Sequence, residues 1–260
     1  MWTEQVQVLD DVAPAAWLAP LLGGSFGAVA RTVPRGFGAY ARLLHPAHDE
    51  DDRPVRWTEV AARTGRQVHA TAQWEALVRW RGPSAEDGLW PGSEPHVGDL
   101  EVDSLVALCA VLGQRTTAPD DVYFCLWEGW GQLHGSPAVM HLGATHLGSD
   151  EHLPPALSDS EWRAPRVSLP GRDYLLLRGP LSAAADLARY DGDFPWTQSP
   201  QLFWPADRAW CVATEIDFDS TLVGGSAELI AELLRTPSLE AWPIGPEDSV
   251  ASDADRVNVV

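Results

Sequence analysis

The sequence predicts an α+β fold in which a mixed or antiparallel sheet carries helices packed mainly on one side. Helical patterns and short apolar strands alternate without the regular strand–helix–strand rhythm of a doubly wound fold. Two apolar runs, 201–204 and 209–216, flank the turn-forming sequence PADR and indicate a β-hairpin. We expect one domain over residues 1–244, with a helical sub-region at about 55–113, and an acidic tail over 245–260 that frays.

The predicted helices carry apolar residues at intervals of three to four positions. Residues 56–80 follow this pattern and contain Gly65, which divides them into two helices. Residues 99–113 give the clearest helical signal, because acidic residues occupy the first turn ahead of a leucine-rich run. A further helix is expected over 227–234, with Ser226 as its N-cap.

Two short apolar runs predict strands that are buried on both faces of the sheet. They are DVYFCLW at 121–127 and DYLLLR at 173–178, each bounded by turn-forming residues. Apolar residues on both faces are typical of central strands, so we expect both runs to lie inside the sheet.

The composition is strongly acidic and narrows the class of partner. Thirty-seven acidic residues face eighteen basic ones, for a net charge of −19. A surface of this sign repels the phosphates of nucleic acids and anionic membranes, and it favours a basic protein partner. All eighteen basic residues are arginine, which excludes chemistry that needs a lysine, such as a Schiff base or a phosphate-binding P-loop.

The cysteines and the N-terminus predict a cytoplasmic protein. Cys109, Cys125 and Cys211 are far apart and form no CxxC pair, so we expect free thiols in a reducing compartment. The N-terminal residues lack the pattern of a secretory signal. No apolar run approaches the roughly 20 residues that span a bilayer, and no cofactor motif is present.

A histidine-rich segment is the first candidate site. Four histidines lie between residues 134 and 152, namely His134, His141, His146 and His152. Imidazole is a preferred ligand of zinc, so the last three are candidate metal ligands. No HExxH spacing is present, however, and a polar loop without metal explains the segment equally well. We therefore predict no metal and keep these histidines as an open alternative.

A second candidate is Glu128, which follows a predicted strand and lies between Trp127 and Trp130. A carboxyl group between two indoles can have a raised pKa and act as a general acid. The alternative is a tight turn in which the glutamate pairs with an arginine. If the protein is an enzyme, we expect a metal-assisted or a carboxylate–histidine hydrolase that uses Glu128 and the histidine segment 134–152, with His134 and His141 as the first candidates. No nucleophile elbow, P-loop, dinucleotide-binding loop or kinase signature supports that alternative.

A third candidate is an acidic run after the predicted hairpin. Strand alternation places Glu215, Asp217 and Asp219 on one face if the strand continues. Three carboxylates together can hold Mg²⁺ or Ca²⁺, or they can receive the arginines of a partner protein. Simple solvation of the three carboxylates is a third alternative, and it demands least.

A fourth candidate is a locally basic region. Residues 53–81 contain six arginines and two acidic residues, and residues 56–66 within them resemble the first half of a helix-turn-helix. A DNA-binding regulator is therefore an alternative function. The second helix carries Trp74 and Trp80, which are typical of core anchors, and the acidic composition makes nucleic-acid binding unexpected.

Residues 203–234 carry a characteristic pattern. A WP-x-DR-x-W turn precedes a strand that ends in D-x-D, and VGGS then leads into a helix. This pattern resembles a C-terminal segment of actinobacterial proteins and the end of the SUKH (Smi1/Knr4-like) immunity superfamily. The resemblance implies a protein-binding α+β domain, often acidic, that neutralises a toxin. It carries over no catalytic residue.

Taken together, these patterns predict a non-enzymatic binding protein with an acidic, tryptophan-lined face. Aromatic residues surrounded by charge are the usual composition of a binding hot spot. We predict that Trp204 and Trp210 are the apolar anchors of this face and that its charged residues are Asp207, Arg208, Glu215, Asp217 and Asp219.

Overall fold

The computed structural model describes residues 5–79, 89–134, 157–190 and 196–258, and it contains a nine-stranded antiparallel sheet. Two short two-stranded ribbons accompany this sheet. The described strands are β1 (Gln7–Val8), β2 (Ala39–Leu44), β3 (Ala47–His48), β4 (Pro54–Val55), β5 (Val122–Trp127), β6 (Arg166–Leu169), β7 (Arg172–Gly179), β8 (Ala188–Tyr190), β9 (Trp196–Gln198), β10 (Leu202–Pro205), β11 (Cys211–Ala213), β12 (Ser220–Gly225) and β13 (Ala241–Ile244).

The helices of the described residues are short, and only two exceed seven residues. They are α1 (Val29–Thr32), α2 (Trp57–Thr64), α3 (Trp74–Val78), α4 (Val102–Gly113), α5 (Asp159–Trp162) and α6 (Ala227–Leu233). Short 3₁₀ helices occur at Ala13–Ala15, Ala19–Leu21, Gly131–His134 and Leu181–Asp186.

The strand order of the large sheet is β1-β7-β5-β10-β11-β12-β2-β13, and β6 also pairs with β7. Every pair in it is antiparallel, which confirms the predicted α+β class. The predicted hairpin forms between β10 and β11, with Phe203 opposite Val212. The second strand is shorter than expected, since it ends at Ala213 and not at Ile216.

Apolar side chains cover both faces of the sheet, as predicted for its central strands. On one face α4 and α6 pack together and α6 lies against β2 and β12; Phe124 of β5 and Phe203 of β10 belong to the same cluster. On the other face the N-terminal segment supplies Leu18 and Val29, which pack with Trp204. The longest helix, α4, thus lies on one face, while mainly irregular chain and the one-turn helix α1 cover the other.

A smaller core cluster lies beside the sheet and contains α2 and α3. Gly65 ends α2 in the left-handed conformation, with φ of 69°, as the sequence predicts. The Trp57 and Trp74 rings pack at 5.5 Å between centroids. Since α3 has five residues and its first turn carries Glu75, its length and charge do not suit a DNA-reading helix. Trp80 lies outside the described residues.

The C-terminal tail packs against the domain through residue 258, which corrects the prediction that it frays. Val250, Asp255 and Asn258 are buried. The Val250 N–H donates to the Gly27 carbonyl oxygen at 2.8 Å. The Asn258 side-chain amide donates to the Gln67 carbonyl oxygen, also at 2.8 Å. These long-range hydrogen bonds have no local sequence signal, so composition alone suggested a mobile tail.

Asp255 organises this tail. Its carboxylate accepts hydrogen bonds from the backbone N–H groups of Val257 and Asn258 and from the His69 ring. Burial by itself raises the pKa of Asp255, but these hydrogen bonds outweigh it and lower the pKa to about 2. The carboxylate is therefore ionised in the folded protein at any pH above that value.

We expect Asp255→Asn to lower the free energy of unfolding near pH 7 by about 1–2 kcal/mol, allowing for solvent screening. Because the folded-state pKa lies below that of the unfolded chain, the wild type has this stabilisation above about pH 4. The wild type loses this stabilisation as the pH falls towards 2, because Asp255 becomes protonated. The difference between wild type and variant should therefore narrow over that range in urea denaturation curves. Asp253→Asn, at an exposed position, is the control. If the difference in the free energy of unfolding between wild type and Asp255→Asn stayed constant with pH, the lowered pKa of Asp255 would be contradicted.

Candidate functional site

The two tryptophans predicted to anchor a partner lie in the core. Trp204 is 1% exposed and Trp210 is 0% exposed, and they belong to the clusters on opposite faces of the sheet. The Trp210 indole N–H donates to the Leu112 carbonyl oxygen at 3.1 Å. The prediction that they contact a partner is therefore wrong, because the covered sheet buries both faces of this hairpin.

Asp207 and Arg208 lie in the exposed turn of the same hairpin. The Asp207 carboxylate accepts hydrogen bonds from the Thr116 hydroxyl and from the Thr117 N–H at 2.7–2.9 Å. The Arg208 guanidinium lies 5.1 Å from the centre of the Trp17 ring. The Asp207 contacts hold the turn against the chain that follows α4, and the Arg208 contact holds it against the N-terminal segment. Both charged groups therefore have a structural role.

The acidic run after β11 does not form one face, because the strand ends before it. Arg172 bridges the first two carboxylates, with its Nη2 at 3.1 Å from Glu215 and 2.7 Å from Asp217. Asp219 instead pairs with the buried Arg42 at 3.1 Å, and burial raises the pKa of Asp219. The run lies at the opposite end of β11 from Asp207. The predicted face is therefore divided between two places, and its carboxylates are largely neutralised by the protein's own arginines.

Glu128 pairs with Arg166, whose Nε lies 2.9 Å from the carboxylate. Trp127 and Trp130 pack edge to face at 5.6 Å. This is the arginine-paired turn that the sequence offered as the alternative to a general acid. His141, His146 and His152 lie outside the described residues, as does the side chain of His134, so the histidine candidates stay predictions.

A groove with apolar walls lies beside Asp217, and the sequence did not reveal it. Phe26, Trp74, Val97 and Phe218 line it, and its volume is about 340 Å³. Phe26 is 57% exposed and Val97 is 51% exposed, while the Phe26 and Phe218 rings lie 5.6 Å apart. Exposed apolar side chains that meet in a concavity are a common feature of binding sites.

The rim of this groove is acidic. Four of the described residues that line it carry a carboxylate, namely Glu75, Glu94, Asp217 and Asp219, and none is basic. Asp217 and Asp219 have the arginine partners given above. Glu75 and Glu94 are exposed and form no ion pair with any residue that the structure describes. We call this concavity, with its apolar walls and carboxylate rim, the acidic groove.

The loop that contributes Glu94 and Val97 to the groove is held by long-range hydrogen bonds. Gly98 donates its N–H to the Phe218 carbonyl oxygen at 2.9 Å. Its φ is +75°, and a side chain there would meet Ile216 at 2.6 Å, so this close approach requires glycine. The Asp99 carboxylate accepts a hydrogen bond from the Ser199 N–H at 2.7 Å. The loop is therefore positioned by the ends of two strands that are far away in the sequence.

The same loop brings together three potential metal ligands. His48, His96 and Glu101 each offer one ligand atom, and these atoms lie within 4.8 Å of one another. His48 ends β3, and Glu101 precedes α4 as its N-cap. No spacing motif connects His48 with the other two residues, so sequence patterns alone do not reveal this group.

Comparisons with known proteins give no family for this chain: no family model, no curated protein and no solved structure matches it. The resemblance of residues 203–234 to the SUKH superfamily stays a prediction. Within the described ranges, no helix has both the length and the apolar character needed to cross a membrane.

Proposed function

We propose that this protein is a non-enzymatic binding protein whose acidic groove receives an arginine- or lysine-bearing segment of a basic partner protein. The observation that carries the proposal is the pair of exposed carboxylates, Glu75 and Glu94, beside the exposed apolar side chains of Phe26 and Val97.

The chemistry of the groove matches the two parts of a long basic side chain. The aliphatic stem of arginine or lysine packs on apolar surface, while its charged end stays near water. The exposed ring of Phe26 offers a face for a cation, and the rim carboxylates accept charge-assisted hydrogen bonds. A volume of about 340 Å³ has room for one or two such side chains.

The charge of the whole chain supports the same class of partner. A net charge of −19 raises the rate at which a basic protein encounters this surface and disfavours acidic competitors. The groove then supplies specificity, because its apolar walls exclude a partner that offers positive charge alone.

Together with the SUKH resemblance, this class of partner supports a specific role for the protein. We propose that it neutralises a basic toxin. The cytoplasm is the proposed compartment. The three cysteines are unpaired, and burial raises the pKa of Cys109 to about 12. Protonated, unpaired thiols fit a reducing compartment. The hydrolase alternative has less support, because Glu128 is paired with Arg166.

We expect a selection of short random peptides on the full-length protein to enrich arginine or lysine next to aromatic or aliphatic residues. The double variant Glu75→Lys/Glu94→Lys should weaken binding of a selected peptide about ten-fold or more, which corresponds to about 1.4 kcal/mol. Fluorescence anisotropy with the labelled peptide measures the dissociation constant of each variant.

The matched control is Glu50→Lys/Asp120→Lys, which changes the net charge equally at exposed positions that do not line the groove. It should change the dissociation constant by about two-fold at most at physiological salt, since distant surface charges are screened. Equal losses in the two double variants would contradict binding in the groove. A selection without basic residues would contradict the proposed class of partner.

A further inference from the structure

We propose that His48, His96 and Glu101 bind a divalent transition-metal ion, with Zn²⁺ as the ion that the ligand set fits best. His96 lies on the loop that also contributes Glu94 and Val97 to the acidic groove, but none of the three ligand residues lines that groove, and neither proposal depends on the other. Two imidazoles and one carboxylate, with the remaining positions open to water, are a common zinc ligand set.

The distances between the ligand atoms already approach those of a metal site. Glu101 Oε1 lies 3.1 Å from His48 Nε2 and 3.8 Å from His96 Nδ1. Two ligands of a tetrahedral zinc ion, each about 2.0–2.1 Å from the metal, are about 3.4 Å apart. All three ligand atoms lie within 4.8 Å of one another, so zinc binding requires the widest pair to close by no more than about 1.4 Å.

The second observation is a buried carboxylate oxygen of Glu101 that lacks a hydrogen bond. Glu101 Oε1 is buried, and it accepts no hydrogen bond from the residues that the structure describes although His48 Nε2 is near. Glu101 also makes no side-chain hydrogen bond to the N-terminus of α4, although it is the N-cap residue. The three ligand atoms lie close together, and Glu101 Oε1 has no hydrogen-bond donor among the described residues. A cation there would satisfy an oxygen whose burial is otherwise costly.

The backbone holds both histidines in place. His48 exchanges backbone hydrogen bonds with Ser93, and its carbonyl oxygen accepts one from the Trp90 indole at 3.0 Å. The His96 carbonyl oxygen lies 2.6 Å from His45 Nδ1. Because a carbonyl only accepts, His45 Nδ1 carries the proton. Supports of this kind reduce the rearrangement needed when a metal binds.

The surroundings leave space for further ligands. The side chain of His96 is 60% exposed, while those of His48 and Glu101 are largely covered. A bound ion would therefore have protein on one side and water on the other. Imidazole nitrogen favours zinc and its neighbours in the first transition row over Mg²⁺ or Ca²⁺, which prefer oxygen ligands.

The test uses the full-length protein after treatment with a chelator. We expect one equivalent of Zn²⁺ to bind in calorimetric titration and to raise the thermal midpoint of unfolding. Co²⁺ in place of zinc should give the visible absorption of a four- or five-coordinate ion. His96→Ala and Glu101→Gln should each weaken Zn²⁺ binding at least about 100-fold, since loss of a supporting second-layer group alone costs 10–100-fold.

The triple variant His141→Ala/His146→Ala/His152→Ala removes the histidines that the sequence offered as metal ligands. We expect it to keep the zinc affinity and the cobalt spectrum of the wild type. The site is refuted if the wild type takes up no stoichiometric metal. It is equally refuted if His96→Ala binds like the wild type, or if the triple variant alone loses binding. Circular dichroism is the folding control for His96→Ala. We expect an unchanged spectrum, because the His96 side chain is exposed.

Discussion

Replacing Arg42 with methionine is expected to lower the free energy of unfolding by about 3–5 kcal/mol. The Arg42 side chain is 1% exposed, and its guanidinium donates to Asp219 at 3.1 Å and to the Ser220 hydroxyl at 2.8 Å. It also donates to the carbonyl oxygens of Ala70 and Ala72. Methionine fills a similar volume but leaves a largely buried carboxylate and two carbonyl groups without their donor. An uncompensated buried charge is among the costliest defects in a folded protein.

Urea denaturation monitored by tryptophan fluorescence measures this loss. The double variant Arg42→Met/Asp219→Asn should recover part of it, because the unpaired charge is removed together with its partner. Arg35→Met is the matched control, since Arg35 pairs with Glu247 at 2.8 Å on the surface, and exposed pairs contribute about 1 kcal/mol or less. A loss of 1 kcal/mol or less in Arg42→Met would show that the buried pair is not essential to the fold.

This ion pair also bears on the acidic groove. Asp219 lines the groove, yet its charge is balanced from within by Arg42. Charge reversal at Asp219 should therefore act first on stability, whereas reversal at Glu75 or Glu94 should act on binding. The sequence treated Asp217 and Asp219 as equivalent surface carboxylates, and their partners separate them.

Replacing Trp210 with alanine should cost about 3–5 kcal/mol of stability, the range for large aromatic residues truncated in a core. Its indole packs edge to face on Phe203 at 5.6 Å and donates to the Leu112 carbonyl oxygen at 3.1 Å. Trp210→Phe keeps most of the apolar contact but leaves that carbonyl without its donor. We expect this variant to lose about 1–3 kcal/mol.

Thermal and urea unfolding of both variants test whether Trp210→Ala loses more stability than Trp210→Phe. Val106→Ala is the control, because Val106 is exposed on α4 and its truncation should change stability by less than about 0.5 kcal/mol. If Trp210→Ala abolished binding of a selected peptide and left stability unchanged, Trp210 would be a surface anchor. That outcome would contradict its burial against α4.

The sequence by itself determined the elements that depend on local signals. β5 and β7 follow from uninterrupted apolar runs, and α6 begins where Ser226 caps it, accepting from the Leu229 N–H at 3.2 Å. The hairpin follows from turn residues between two apolar segments. These signals act over a few residues, since hydrogen bonds, periodicity and turn geometry are set by neighbours in the chain.

Only the tertiary structure decided which side chains are available to a partner. Alternation along β10 separates Phe203 from Trp204, but it does not say that chain covers both faces of the sheet. The pairing of Arg42 with Asp219, 177 positions away, has no local signal. The acidic groove and the group of His48, His96 and Glu101 likewise form where distant segments meet. Their chemistry depends on contacts that the packing of the whole chain creates, so spacing in the sequence did not reveal them.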